Sequence, residues 1–347
     1  MLSGCGNIRY YAQALHGQGQ LIVHRRPIEK LLRDPGTDPA LAKRLRVALQ
    51  ARRFASRELG LPDNGSYTGY VQLDRRFVVW NVFAAPRFSV KAVPQCFPIA
   101  GCVAYRGWFS EAAAQSDAAR LRQHGDDVWI GGVPAYSTLG WFDDPVLSSM
   151  LRWDDDELAG TIFHELAHQL VYVKGDTAFN ESFATFVQQQ GLRAWRAERG
   201  LSPSHDHDQA MADGFTSLVL DLRERLKILY ASDVGKASMS VAKEHEINAF
   251  RTRYAQWRQR RWPHDHRYDV WVRQPINNAR LLPFGLYDSW VPAFAMLFER
   301  AQGNWPVFLG RVRNLARESR PRRDQQLQAL LGSERAFQTA KSDVVRD

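Results

Sequence analysis

Two histidines four residues apart, with a glutamate after the first, carry the chemistry that this chain can be expected to do: Thr161-Ile162-Phe163-His164-Glu165-Leu166-Ala167-His168-Gln169. Asp154, Asp155, Asp156 and Glu157 precede them as a cap and an acidic first turn, matched to the positive end of a helix dipole. Apolar residues then recur at helical spacing over 158–173, with no proline and no glycine after Gly160. His164 and His168 therefore share one helix face, about 6 Å apart along the axis. Two imidazoles so placed can hold a zinc ion (Zn2+) tetrahedrally and leave room for a third protein ligand and a water. Glu165 lies beside that point, where a carboxylate can take a proton from water and pass it to a leaving amine.

A turn at Lys174-Gly175-Asp176 leads to a second helical stretch over about residues 177–190, with Glu181 in its opening turns. A short connection makes two such helices antiparallel neighbours and returns Glu181 to the histidines. Ala184, about one turn later, is small enough for close approach. The spacing predicts zinc on His164, His168 and Glu181, with Glu165 as the catalytic base. The bland alternative is a helix with two histidines and a surface glutamate. The capped start, the apolar Phe163, Leu166 and Ala167, and the downstream Glu181 argue against it.

The elements that must position these groups follow from the rest of the chain. With 347 residues and 45% hydrophobic content it can bury a substantial core, as one large domain or two closely packed ones. No apolar run approaches the roughly 18 residues of a membrane span. The net charge of +9 concentrates around residues 251–267 and 311–323, at ordinary helical spacing. Without a nucleic-acid fold signature it reads as solvated helix faces, not as a nucleic-acid site. Residues 7–60 read as helices broken at Asp34-Pro35-Gly36, and residues 67–73, 77–82, 102–108 and 128–131 as strands. Ser110 caps a helix to about Arg122. After Gly191 helices are expected over 210–230, 241–262, 290–300 and 305–316, with a loop over 263–275. The pairs His205/His207 and His264/His266 alternate with polar residues and read as exposed loops. The expected fold is α+β: a small twisted sheet backed by the zinc-binding helix pair (63–200), after a helical N-terminal segment (1–62) and before a helical C-terminal part (201–347) that closes the cleft.

His164-Glu165-x-x-His168 followed by Asn180-Glu181-Ser182-Phe183-Ala184 resembles the zincins whose third ligand is glutamate, and Asn-Glu-x-x-Ala resembles their alanyl-aminopeptidase branch. Pro98-Ile99-Ala100-Gly101-Cys102-Val103-Ala104-Tyr105-Arg106-Gly107 and Ala135-Tyr136-Ser137-Thr138-Leu139-Gly140-Trp141-Phe142 resemble the bacterial predicted aminopeptidase family, over nearly the whole chain. The resemblance implies zinc-dependent hydrolysis of a peptide or protein substrate. Two departures stand out: only twelve residues separate His168 from Glu181, and Thr185 stands where thermolysin-like enzymes place a histidine-orienting aspartate. In glutamate zincins the strand before the zinc helix is a sheet edge along which substrate lies. Ala135, Tyr136, Ser137, Thr138, Leu139 and Gly140 occupy that place; an internal strand or a loop packed by Tyr136 and Trp141 is the alternative. Zincins also set a tyrosine or histidine opposite the metal to stabilise the oxyanion. Chain order points to Tyr287, with Tyr136 and Tyr172 as rivals and a packed core tyrosine equally consistent. Asp143 and Asp144 are the nearest acids for a substrate ammonium, or a cap before Pro145. Beside an aminopeptidase stand an envelope endopeptidase of the same mechanism and a non-catalytic envelope protein with a structural metal.

Leu2-Ser3-Gly4-Cys5 resembles a bacterial lipobox, whose cysteine becomes the lipidated mature N-terminus. The expectation is a lipoprotein precursor lacking most of its signal peptide, associated with the membrane through Cys5 and facing the periplasm. Cys96 and Cys102 enclose five residues. They can pair in an oxidising periplasm or stay buried thiols in the cytosol, and their spacing leaves both open.

Overall fold

The computed structural model describes residues 3–97, 101–135, 137–202, 206–284 and 290–331. Helices α1 (Ser3–Val23), α2 (Ile28–Arg33) and α3 (Pro39–Arg57) open the chain, with strand β1 (Arg26–Pro27) between the first two. Strands β2 (Gly69–Val71), β3 (Val79–Pro86), β4 (Gln95–Phe97), β5 (Gly101–Val103) and β6 (Tyr105–Trp108) follow. Next come α4 (Glu111–Gln123), β7 (Asp126–Val133) and β8 (Val146–Leu147). A 3-10 turn at Met150–Arg152 leads into the pair α5 (Asp155–Leu170) and α6 (Thr177–Glu198). The remainder is helical: α7 (Asp206–Tyr230), α8 (Lys236–Arg261), α9 (Asp269–Arg273), α10 (Asn278–Leu281), α11 (Val291–Arg300) and α12 (Trp305–Arg317). The result is a mostly helical α+β fold with small sheets. No helix of the described residues is long and apolar enough to cross a membrane.

Packing divides the chain into two units: Met1–Val79, Gly132–Leu201 and Leu286–Asp347 form the first, and Trp80–Gly131 with Ser202–Gly285 the second. In the first, β2 pairs antiparallel with β1 (Arg26 opposite Tyr70) and parallel with β8 (Tyr70 opposite Val146). The core of this unit lies where α3, α5, α6 and α11 meet. Phe163 of α5 is fully buried against Phe54 of α3 and Trp195 of α6, and Phe183 of α6 packs on Phe294 of α11. Asp154 caps α5 by accepting from the Glu157 N–H at 2.8 Å, as its acidic first turn predicts. Arg44 of α3 anchors that turn through Asp155 and the Trp153 and Asp154 carbonyls, and Arg196 of α6 pairs with Asp156.

Helix α6 runs eight residues past its expected end at Gln190. Gly191 invites a stop, yet a Cβ there would lie 2.8 Å from Leu59 Cδ1 and 3.0 Å from Phe163 Cδ2. The glycine is a close approach inside a helix, not its end. Likewise α9 forms within the stretch expected to be loop.

The second unit holds the sheet β6-β3-β7, with β3 and β6 antiparallel (Trp80 opposite Trp108). Helices α7 and α8 make a hairpin around Phe215, Val219, Leu222, Leu226, Ile247 and Phe250. Lys243 pairs with Asp127 at 2.6 Å, both largely buried, and Asp127 also accepts from the Asn278 N–H. Cys96 and Cys102 are directly opposed on β4 and β5 and joined by a disulfide.

Candidate metal centre

Helix α5 sorts its residues by face. Leu158, Ala159, Ile162, Phe163, Leu166 and Ala167 are completely buried, which leaves His164, Glu165, His168 and Gln169 on the opposite side. The chain then turns at Gly175 (φ +77°), where glycine adopts the left-handed backbone without strain. Asn180 clamps this turn from α6: its Oδ1 accepts from the Val173 N–H and its amide donates to the Val173 carbonyl, both at 2.8 Å. That clamp, with the fully buried Ala184 one turn on, sets Glu181 against the two histidines. The Asn and Ala of Asn-Glu-x-x-Ala thus position the glutamate between them.

His164 Nε2 and His168 Nε2 lie 3.1 Å apart, and Glu181 Oε2 is 3.3 Å from the first and 3.5 Å from the second. An ion bound tetrahedrally at about 2.0–2.1 Å would space its ligand atoms by about 3.3–3.4 Å. The triangle these atoms make has a circumscribed radius of about 1.9 Å, so one ion fits just off its plane. Nitrogen and carboxylate donors of this kind suit a divalent metal, and His164, His168 and Glu181 are a group able to hold one. Gln188, two helical turns beyond Glu181, presents Oε1 to His164 Nδ1 at 3.1 Å. A carbonyl oxygen only accepts, so the hydrogen sits on Nδ1 and the Nε2 lone pair faces the metal position. Nothing in local sequence marks Gln188; its role depends on how α5 and α6 cross. His168 Nδ1 is buried without a partner among the described residues.

Electrostatics separates the two glutamates. Burial alone would raise the Glu181 carboxyl, but His168 and His164 draw it down to about 2, so it is ionised throughout the ordinary range. Burial pushes the Glu165 carboxyl above its usual value, against the pull of the histidines and with a contribution from Glu181. One carboxyl is held ionised beside the two histidines, and the other is shifted towards its protonated form.

Among the described residues, 137–140 do not form the expected substrate strand. Leu139 (φ +56°) and Gly140 (φ +82°) turn through the left-handed region, which an extended strand excludes. Ser137 and Thr138 direct their donors to Asp144: Ser137 Oγ at 3.4 Å and Thr138 N at 3.0 Å reach Oδ2, and Thr138 Oγ1 at 2.8 Å reaches Oδ1. Gln169, next to His168, adds a fourth donor at 3.2 Å. Residues 137–140 are therefore a loop fastened to α5, the alternative to a strand; Ala135 is buried and Tyr136 lies outside the described residues. Asp144 is 1% exposed, whereas Asp143 is exposed. Trp141 and Phe142 project from the same loop, at 72% and 46% exposure. Tyr287 lies outside the described residues, and so does the side chain of Cys5. Tyr172 is 36% exposed, and partial burial and then Glu181 raise its phenol above the usual value.

A protein-family model described as Putative aminopeptidase matches residues 9–327 of the chain. No curated protein and no solved structure matches it.

Proposed function

The chain belongs to the putative aminopeptidase family, and we propose that it hydrolyses peptide bonds with zinc held by His164, His168 and Glu181. The observation that carries this reading is the convergence of two Nε2 atoms and one carboxylate oxygen on a single point, with Glu165 left over on the same helix face. When bound, the metal supplies Lewis-acid polarisation of the scissile carbonyl and makes a neighbouring water more acidic. Gln188 keeps His164 in the tautomer that presents Nε2. Glu165 removes the proton from the attacking water and returns it to the leaving amine. A tyrosine hydroxyl holds the oxyanion: Tyr287 on chain order, with Tyr172 as the described alternative. A purely structural metal would have no use for Glu165.

Endopeptidase action is the second reading, and Asp144 favours it. Its carboxylate is committed to four donors within its own loop and α5, so it is not free to receive a substrate ammonium. A panel of peptides with free and N-acetylated termini separates the two: aminopeptidase action cleaves only the free ones. Metal analysis of chelated, zinc-reloaded protein should give one ion per chain, lost in Glu181→Ala. A variant that retains zinc as tightly as wild type would remove Glu181 from the ligand set.

We further propose that the protein is a periplasm-facing lipoprotein anchored at Cys5. The paired Cys96 and Cys102 support an oxidising compartment. Expression from the native gene in the presence of a labelled fatty acid should mark Cys5. An unlabelled cytosolic product would exclude the anchor.

A further inference from the structure

Tyr67 is fully built into the first unit at 1% exposure, yet among the described residues its hydroxyl has no hydrogen-bond partner. Buried hydroxyls are almost always paired, so such a group calls for an explanation. Its backbone is unusual as well: φ is +63°, a region that a bulky aromatic residue enters only when its surroundings impose it.

The surroundings do impose it. Buried Arg52 gathers the preceding segment by donating to the carbonyls of Pro62 (2.9 Å), Asn64 (2.8 Å) and Ser66 (2.8 Å). Tyr67 N donates to the Asp144 carbonyl at 2.6 Å. Ser66 Oγ accepts from both Asp144 N and Gln169 Nε2 at 3.2 Å. Gln169 stands one helical turn beyond Glu165 on the same face of α5. The strained residue is thus pinned against the side of α5 that carries Glu165. Burial first, then the charges of Glu165 and Asp144, push the phenol well above its usual value, so it stays a neutral donor.

We propose that Tyr67 is a positioning residue of the peptidase site, its hydroxyl holding the water that Glu165 deprotonates. A buried water needs at least two polar partners; Tyr67 Oη and the Glu165 carboxylate supply them. This rests on the peptidase reading above.

Tyr67→Phe removes one oxygen and keeps the ring. With zinc content matched to wild type, kcat on the free and N-acetylated peptide panel should fall about 10- to 100-fold while KM stays within about twofold. The melting temperature should fall, because a paired hydroxyl is lost. An idle core hydroxyl predicts the reverse: unchanged kcat, and a melting temperature that holds or rises once an unsatisfied group is gone. Either of those results overturns the proposal, and so does a raised KM at unchanged kcat, which would place the hydroxyl on the substrate. Failure here leaves the peptidase reading intact, whereas full turnover by Glu165→Gln would remove that reading itself. The melting temperature decides the role of Tyr67 whichever peptides are cleaved.

Discussion

His164 and His168 are the same residue one turn apart, but they are held differently. His164 is oriented through Nδ1 by Gln188, while His168 is fixed by burial in α5. Gln188→Ala should therefore weaken zinc binding about 10- to 100-fold in chelator competition, and Gln188→Glu, which keeps the acceptor, should restore it. Equal affinity in all three would show that packing alone orients His164. Asp144 gives a prediction in pH. Burial, ahead of the opposing Thr138 donors, pushes its carboxyl up to about 6 from an ordinary 3.8. The folded chain holds this proton more tightly than the unfolded chain, so the contribution is fullest below the unfolded value and is lost as pH rises through about 6. Measured by unfolding, wild type should gain on Asp144→Asn by about 2 kcal/mol between pH 7.5 and 4.5. A constant difference would contradict the shift. His164, Glu165 and His168 were legible because helical periodicity places them on one helix, and Glu181 because a short connection returns the next helix to them. Gln188 and Tyr67 were not, since each acts on a residue brought near only by packing.

The helix pair is held in register from its ends. Asp176 caps α6 through the Phe179 N–H and meets Arg323, from helical residues 320–331, in a buried pair at 2.5 Å. Arg323 also lies over the Phe179 ring, 5.1 Å from its centroid. Removing the arginine strands a buried carboxylate, so Arg323→Met should cost about 3–5 kcal/mol in unfolding experiments. It should also loosen zinc, because α6 carries Glu181. A loss below about 1 kcal/mol would mean that water reaches Asp176. At this scale the caps at Ser110 and Asp154 and the break at Asp34-Pro35-Gly36 were readable, each being local chemistry. The segment at 137–140 was read by its position before the zinc helix. Its side chains instead close on Asp144, a preference that becomes visible only when the loop and α5 are seen together.

Across the whole chain, the family match, the metal-capable triad and the left-over glutamate converge on one chemistry. The first unit contains all the described residues of the candidate site. Composition and charge bounded the fold class but could not assign helices to units, because each unit is assembled from separate stretches of chain. The most direct test of the account is hydrolysis by Glu165→Gln, measured with zinc content and melting temperature on the same preparation. Zinc should remain at one ion per chain and the fold intact, while turnover of the peptides wild type cleaves falls at least about 100-fold. Wild-type turnover in that zinc-loaded variant would contradict the account, since the activity would then arise without the base on which it rests.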